Sequence, residues 1–191
     1  LKGLQVKNYL NTVISSLFIG TILISFSACS SKNALSPQEQ SMLALFKIED
    51  IQNQIKNVDK ARSVDNLIFF SPVNFKKAED FAYIALKMHN EKEDKLEVYE
   101  KVQESKQYLA KAYDTKILLK TELETLLDYK TRFDKHHASK LFKNSYEIVN
   151  GNIIKMILDV DSGKGIEAFE IREETLKLAR TLYSTMKISS N

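Results

Sequence analysis

Three histidines, His89, His136 and His137, and the single cysteine, Cys29, are the residues of this chain best suited to metal binding or nucleophilic chemistry. A metal site needs ligands that converge, whereas sequence neighbours such as His136 and His137 point about 100° apart on a helix. Without an HExxH pair or a second cysteine, the histidines are expected on surfaces and turns. Asp159, Asp161 and Glu170 hold the first, third and twelfth places of a calcium loop, but Gly163 and Lys164 stand where an oxygen ligand and a glycine belong. Gly163-Lys164-Gly165 also lacks the spaced glycine and the Ser or Thr of a phosphate loop. Two carboxylate groups remain: Glu91, Glu93 and Asp94, and Glu122, Glu124 and Asp128. They lie on lysine-rich helical faces, where solvation and i,i+4 pairing account for them. No nucleophile elbow is present. The chain is expected to be no enzyme, with no catalytic, cofactor-binding or metal-binding residue.

Cys29 has no disulfide partner in its own chain and follows the small residues Ser27 and Ala28 at the end of a secretory-type segment. Lys2 and Lys7 form a positive start and residues 13–26 an apolar core. That core is about 14 residues long, short of the roughly 20 that span a bilayer, so residues 1–28 are expected to be a cleaved signal peptide. Phe26-Ser27-Ala28-Cys29 resembles the lipobox of bacterial lipoproteins, with Phe26 where Leu is usual. The resemblance implies cleavage between Ala28 and Cys29 and covalent attachment of diacylglycerol and an acyl chain, such as palmitate, to Cys29. Ser30 in place of Asp implies sorting to the outer membrane, with the body facing the periplasm. Each buried methylene contributes about 0.8 kcal/mol, so two or three chains make a durable anchor.

Removing the first 28 of 191 residues leaves 163, enough for one domain with its own core. The formal charge of +3 falls to about +1, since Lys2 and Lys7 leave without an acid. Lysines and acids are interleaved, so no nucleic-acid partner is expected.

Residues 29–35 form a lipidated polar tether before a helical domain, 36–191. Ser36-Pro37-Gln38-Glu39 has the N-cap, first-turn proline and capping-box acid of a helix start. Met42, Leu45, Ile48, Ile51, Ile55 and Val58 extend that helix to about Asp65 at spacings of three and four. Leu67-Ile68-Phe69-Phe70 is expected to be a buried connector. A second helix follows Ser71-Pro72, with Phe75, Ala78, Ala82, Ala85 and Met88 on its stripe, and ends at a polar turn over His89–Asp94. A third spans about Asp94 to Asp134, roughly 60 Å, long enough for a coiled-coil-like rod. Beyond His137 the stripe of Leu141, Phe142, Ile148 and Val149 passes Gly151, a candidate kink or helix end, and continues to Leu158. Asp161–Gly165 is a turn, and the last helix covers about Ile166 to Lys187.

Residues 71–135 and 138–188 form a candidate internal repeat, aligning Phe75-Lys76 with Phe142-Lys143 and Lys87-Met88 with Lys155-Met156. Scarce glycine and proline and no alternating segments give an all-α class: antiparallel helical hairpins in an elongated bundle with coiled-coil-like packing. From Ser71 to about Ile188 the chain resembles helical modules of envelope lipoproteins that precede OmpA-like peptidoglycan-binding domains. The resemblance rests on Ser71-Pro72 with Phe75 and Ala78, and on Gly163-Lys164-Gly165 before the last helix. In the sequence as it stands, no β/α wall-binding domain follows Asn191. The expectation is a non-catalytic scaffold or spacer held to the membrane by lipid, with an envelope protein or a second copy as partner. The alternative is a periplasmic protein that binds an unknown small molecule in a groove between the two hairpins, which an apolar cavity lined by Tyr and Phe would support. Tyr83, Tyr99, Tyr108, Tyr113, Tyr129, Tyr146 and Tyr183 are expected to pack in the core with the hydroxyl in water; several of them exposed along one groove would point to a peptide or glycan site.

Overall fold

The computed structural model describes residues 35–189; the signal segment, Ala28 and Cys29 lie outside the described residues. From Pro37 onward the chain is an all-α helical bundle. Its helices are α1 (Pro37–Leu45), α2 (Ile48–Ser63), α3 (Leu67–Phe70), α4 (Pro72–Asn90), α5 (Lys95–Glu122), α6 (Glu124–Lys135), α7 (Ala138–Leu141), α8 (Lys143–Asp161) and α9 (Arg172–Ser189), with a 3-10 turn at Gly165–Phe169. Helices α4 and α5 form the first hairpin, with α2 packed on it. Helices α8 and α9 form the second, with α6 packed on α9. Among the described residues, no helix is long and apolar enough to cross a membrane.

The single helix expected from Ser36 to Asp65 is two. Phe46 is buried edge-on to Tyr99, at 5.4 Å between ring centres. Turning it inward leaves Lys47 extended, and the Lys47 N–H donates to Asp50 Oδ2 at 2.8 Å as α2 starts. Met42 and Leu45, expected on the apolar stripe, are consequently exposed. The 60 Å rod is likewise broken, at buried Leu123, where the chain passes from α5 into α6 and from the first bundle into the second. Gly151 sits in the middle of α8 and ends nothing. The turn after α8 uses glycine for its backbone freedom, with Gly163 and Gly165 at φ of 90° and 60°. Ile166 lies in the 3-10 turn and is exposed, so α9 begins six residues later than expected.

The two bundles follow one plan. A helix ends, a residue adopts the left-handed conformation, a four-residue helix forms, and a nineteen-residue helix follows. Asn66 and His137 are the left-handed residues, and Ser71 and Phe142 precede the long helices; each pair stands seventy-one positions apart. Buried Ser105, Leu109 and Ala112 of α5 correspond to buried Thr175, Ala179 and Leu182 of α9, seventy positions on. This register places Ser71, not Phe75, opposite Phe142.

Candidate functional site

The polar groups inside the bundle tie helices together. Gln54 of α2 donates from Nε2 to Ser105 Oγ at 2.9 Å, and Ser105 donates to the Ala78 carbonyl at 2.7 Å. Arg62 of α2 pairs with the nearly buried carboxylate of Glu79. In the second bundle Asn152 donates to Thr175 Oγ1 at 3.0 Å.

Asp161, at 6% exposure, makes a polar tie between the bundles. Its carboxylate accepts from the Ser71 hydroxyl, from the Val73 N–H at 2.6 Å, from the Asn74 N–H at 3.4 Å and from Asn74 Nδ2 at 2.6 Å. Asn74 Nδ2 also reaches the Asp161 carbonyl at 2.9 Å. The start of α4 lacks an N-cap bond from Ser71, and a carboxylate from the end of α8 satisfies amides that its first turn leaves free. Sequence spacing presents Asp161 as a turn residue and calcium-loop candidate; its acceptor role becomes visible only once α8 is placed on α4. Asp159 is directed elsewhere, pairing with Lys164 at 2.7 Å and Lys155 at 3.4 Å. The hydrogen bond from Lys164, with Lys155 beside it, holds the Asp159 carboxyl below the usual range. Asp159, Asp161 and Glu170 do not converge, and the described residues contain no group of three His, Cys, Asp or Glu placed to hold a metal ion.

His89, His136 and His137 are exposed, as expected for turn and helix-end residues. The tyrosines do not share one groove. Tyr113 of α5 donates to Asp65 Oδ2 at 2.6 Å, and burial together with that bond pushes its pKa up to about 12. Tyr146 donates to Asp134 Oδ1 at 2.7 Å, which raises its pKa. Tyr183 accepts from Arg132 at 3.2 Å, and this bond, with Lys187 over the ring, lowers its pKa. Tyr99 packs on Phe46, and Tyr108 stacks on Phe81 with ring centres 5.6 Å apart.

Two clefts remain. One, of about 340 Å³, is lined by Phe46, Lys47, Ile48, His89, Lys92 and Val98 among others, near the tip of the first hairpin. Its edge carries acids as well as lysines, including Glu93 in the lining and exposed Glu91 beside it. The other, of about 120 Å³, runs within the second hairpin between Phe142, Ser145 and Ile148 of α8 and its N-cap and Leu178, Thr181, Leu182 and Thr185 of α9. Sequence periodicity places Leu141, Phe142 and Ile148 on a buried stripe. Here Ile148, in the groove lining, and Leu141, outside it, are 53% and 70% exposed, so the stripe is not covered as the periodicity anticipates. Between the two hairpins, Phe69, Phe70, Leu119, Leu123 and Ile157 belong to one packed cluster.

Comparison with protein-family models, curated proteins and solved structures finds no match to this chain.

Proposed function

We propose that this protein is a non-catalytic scaffold or spacer, held at the outer membrane by diacylglycerol and acyl chains on Cys29, whose helical body offers an interaction surface on the periplasmic side. The observation that carries the non-catalytic part is the use made of the polar interior. Gln54, Ser105, Glu79, Asp161 and Thr175 each bond a group on another helix or support such a bond, which is the work of a rigid body. The anchoring part rests on Phe26-Ser27-Ala28-Cys29 and the signal-like segment before it. The exposed apolar groove of the second hairpin supports an interaction role.

Replacing Cys29 by Ser tests the anchor. The variant is expected to keep its helical circular dichroism, move from the membrane to the soluble fraction and lose incorporation of a labelled fatty acid. A variant that stays in the membrane fraction would overturn the anchor.

A further inference from the structure

Helix α1 and the second bundle lie at opposite ends of α5. Near the start of α5, Val98 shares a cluster with Phe46 and Ile51, and the Tyr99 hydroxyl donates to Met42 Sδ at 3.4 Å. Near its end, Leu119 belongs to the cluster of Ile157 and Val160 of α8. Tyr99 and Leu119 are twenty residues apart on this one helix, about 30 Å along its axis. Cys29 stands eight residues before Pro37, a reach of at most roughly 28 Å. A body standing on its second bundle would lift α1 by about 30 Å or more, beyond that reach. The short link to Cys29 therefore keeps α1 and the tip of the first hairpin close to any membrane that holds the cysteine.

The surface at that end sets apolar and ionic groups side by side. From Ser36 to Phe46 the only ionisable residue is Glu39, and Met42 and Leu45 of α1 are 46% and 74% exposed. Beside them opens the cleft of about 340 Å³, with Phe46, Ile48 and Val98 as its apolar part and Lys47, Lys92 and Lys95 around them. Lys87 pairs with Glu91 at 3.9 Å, whereas the three lysines of the cleft form no ion pair among the described residues. Lys92 is held at a φ of 61°, where the matching turn of the second bundle, seventy-one positions on, has Gly163 at 90°. Glycine is the relaxed residue for that conformation, and lysine in its place adds a cation to the cleft. Of the acids at this end, Asp94 accepts from the Leu96 and Glu97 amides and Asp50 from the Lys47 amide, while Glu93 lines the cleft and Glu49 and Glu97 are exposed beside it. Unpaired ammonium groups beside apolar side chains suit a phosphate that carries acyl chains. The carboxylates among them suit a headgroup with an ammonium of its own and oppose a purely anionic surface.

We propose that α1 and the tip of the first hairpin form a membrane-contact face for zwitterionic phospholipid. Met42 and Leu45 lie among the headgroups, the phosphates meet Lys47, Lys92 and Lys95, and the second bundle is the end directed away from the bilayer. This names the surface through which the lipid-held scaffold meets its membrane, and it rests on that reading. A contact of two aliphatic side chains and three lysines is weak alone and acts because the tether keeps it at the surface.

The test couples residues 29–191 through their sole cysteine to maleimide-bearing lipid in phosphatidylcholine vesicles, so the tether is present whether or not a cell acylates Cys29. The chain has no tryptophan, and Leu45→Trp and Leu141→Trp, both at exposed positions, put one reporter in each region. Unchanged circular dichroism confirms that the variants fold. On coupling, the emission of Leu45→Trp is expected to move to shorter wavelength and to be quenched about twofold or more by nitroxide-labelled headgroups, while Leu141→Trp stays as in solution. A Leu45→Trp reporter that remains solvent-like, or a Leu141→Trp reporter quenched equally, overturns the contact face. Lys47→Glu with Lys92→Glu should cut the quenching of Leu45→Trp by about half; no change overturns the role of the lysines. Quenching that appears only with phosphatidylglycerol vesicles overturns the choice of a zwitterionic surface. Concentration-dependent dimers of the uncoupled protein in sedimentation, abolished by Leu45→Lys, would assign the face to a second copy and overturn the lipid. The membrane fractionation of Cys29→Ser decides the cellular anchor separately, since the coupled protein does not depend on it.

Discussion

The first bundle has its polar and aromatic groups paired, some of them with Asp161 of the second, while the second leaves the corresponding positions open. Phe75 is buried under the Arg62 guanidinium, whereas its counterpart Tyr146 is half-buried with its hydroxyl on an exposed aspartate. Glu79 pairs with Arg62, whereas its counterpart Asn150 leaves Oδ1 buried without a donor among the described residues. Ser71 and Asn74 hold a carboxylate, whereas Phe142 and Ser145 face a groove. One backbone plan therefore supports two uses, a bundle whose corresponding groups are paired and one with a surface to spare.

The sharpest way to break this comparison is to truncate the paired aromatics. Phe75→Ala removes a fully buried ring and should cost about 3–5 kcal/mol in urea unfolding. Tyr146→Ala should cost about 1–2 kcal/mol, because much of its ring is already in water. Equal losses would remove the distinction. Next come the starts of α4 and α8. Asp161→Ala leaves the start of α4 without its acceptor and should cost about 2–3 kcal/mol. Ser145→Ala, at the exposed counterpart of Asn74, should stay within about 0.5 kcal/mol. The smallest effect is in tyrosine ionisation. Tyr183 should give phenolate absorbance below the ordinary value near 10 and Tyr113 only near about 12. Because the folded pKa of Tyr113 is raised, its stabilising contribution is complete below about pH 10. It is lost as pH rises through about 12. Removing the acceptor by Asp65→Asn should bring the Tyr113 titration down towards the usual value.

The all-α class was legible because apolar spacings of three and four run through nearly every segment and only two prolines interrupt 191 residues. Periodicity could not show the breaks at Phe46 and Leu123, since both residues are apolar and fit a continuous stripe; the turns arise because each side chain is drawn into a core built from distant helices. It also could not separate covered from uncovered stripe. Ile153 and Ile148 look alike in sequence, yet Ile153 faces the packed cluster and Ile148 the groove. The acceptor role of Asp161 was equally invisible, because its partners are about ninety residues away.

That separation bears on how the protein assembles. Within each hairpin, contacts such as Ser105 with Ala78 and Asn152 with Thr175 close short stretches of chain and can form early. The bond from Ser71 to Asp161 must wait until both hairpins exist, so it belongs to the final docking of one bundle on the other. Interactions made that late slow opening more than they speed closing. Asp161 therefore acts chiefly on the lifetime of the assembled molecule, and the rate at which the chain first collapses is set elsewhere.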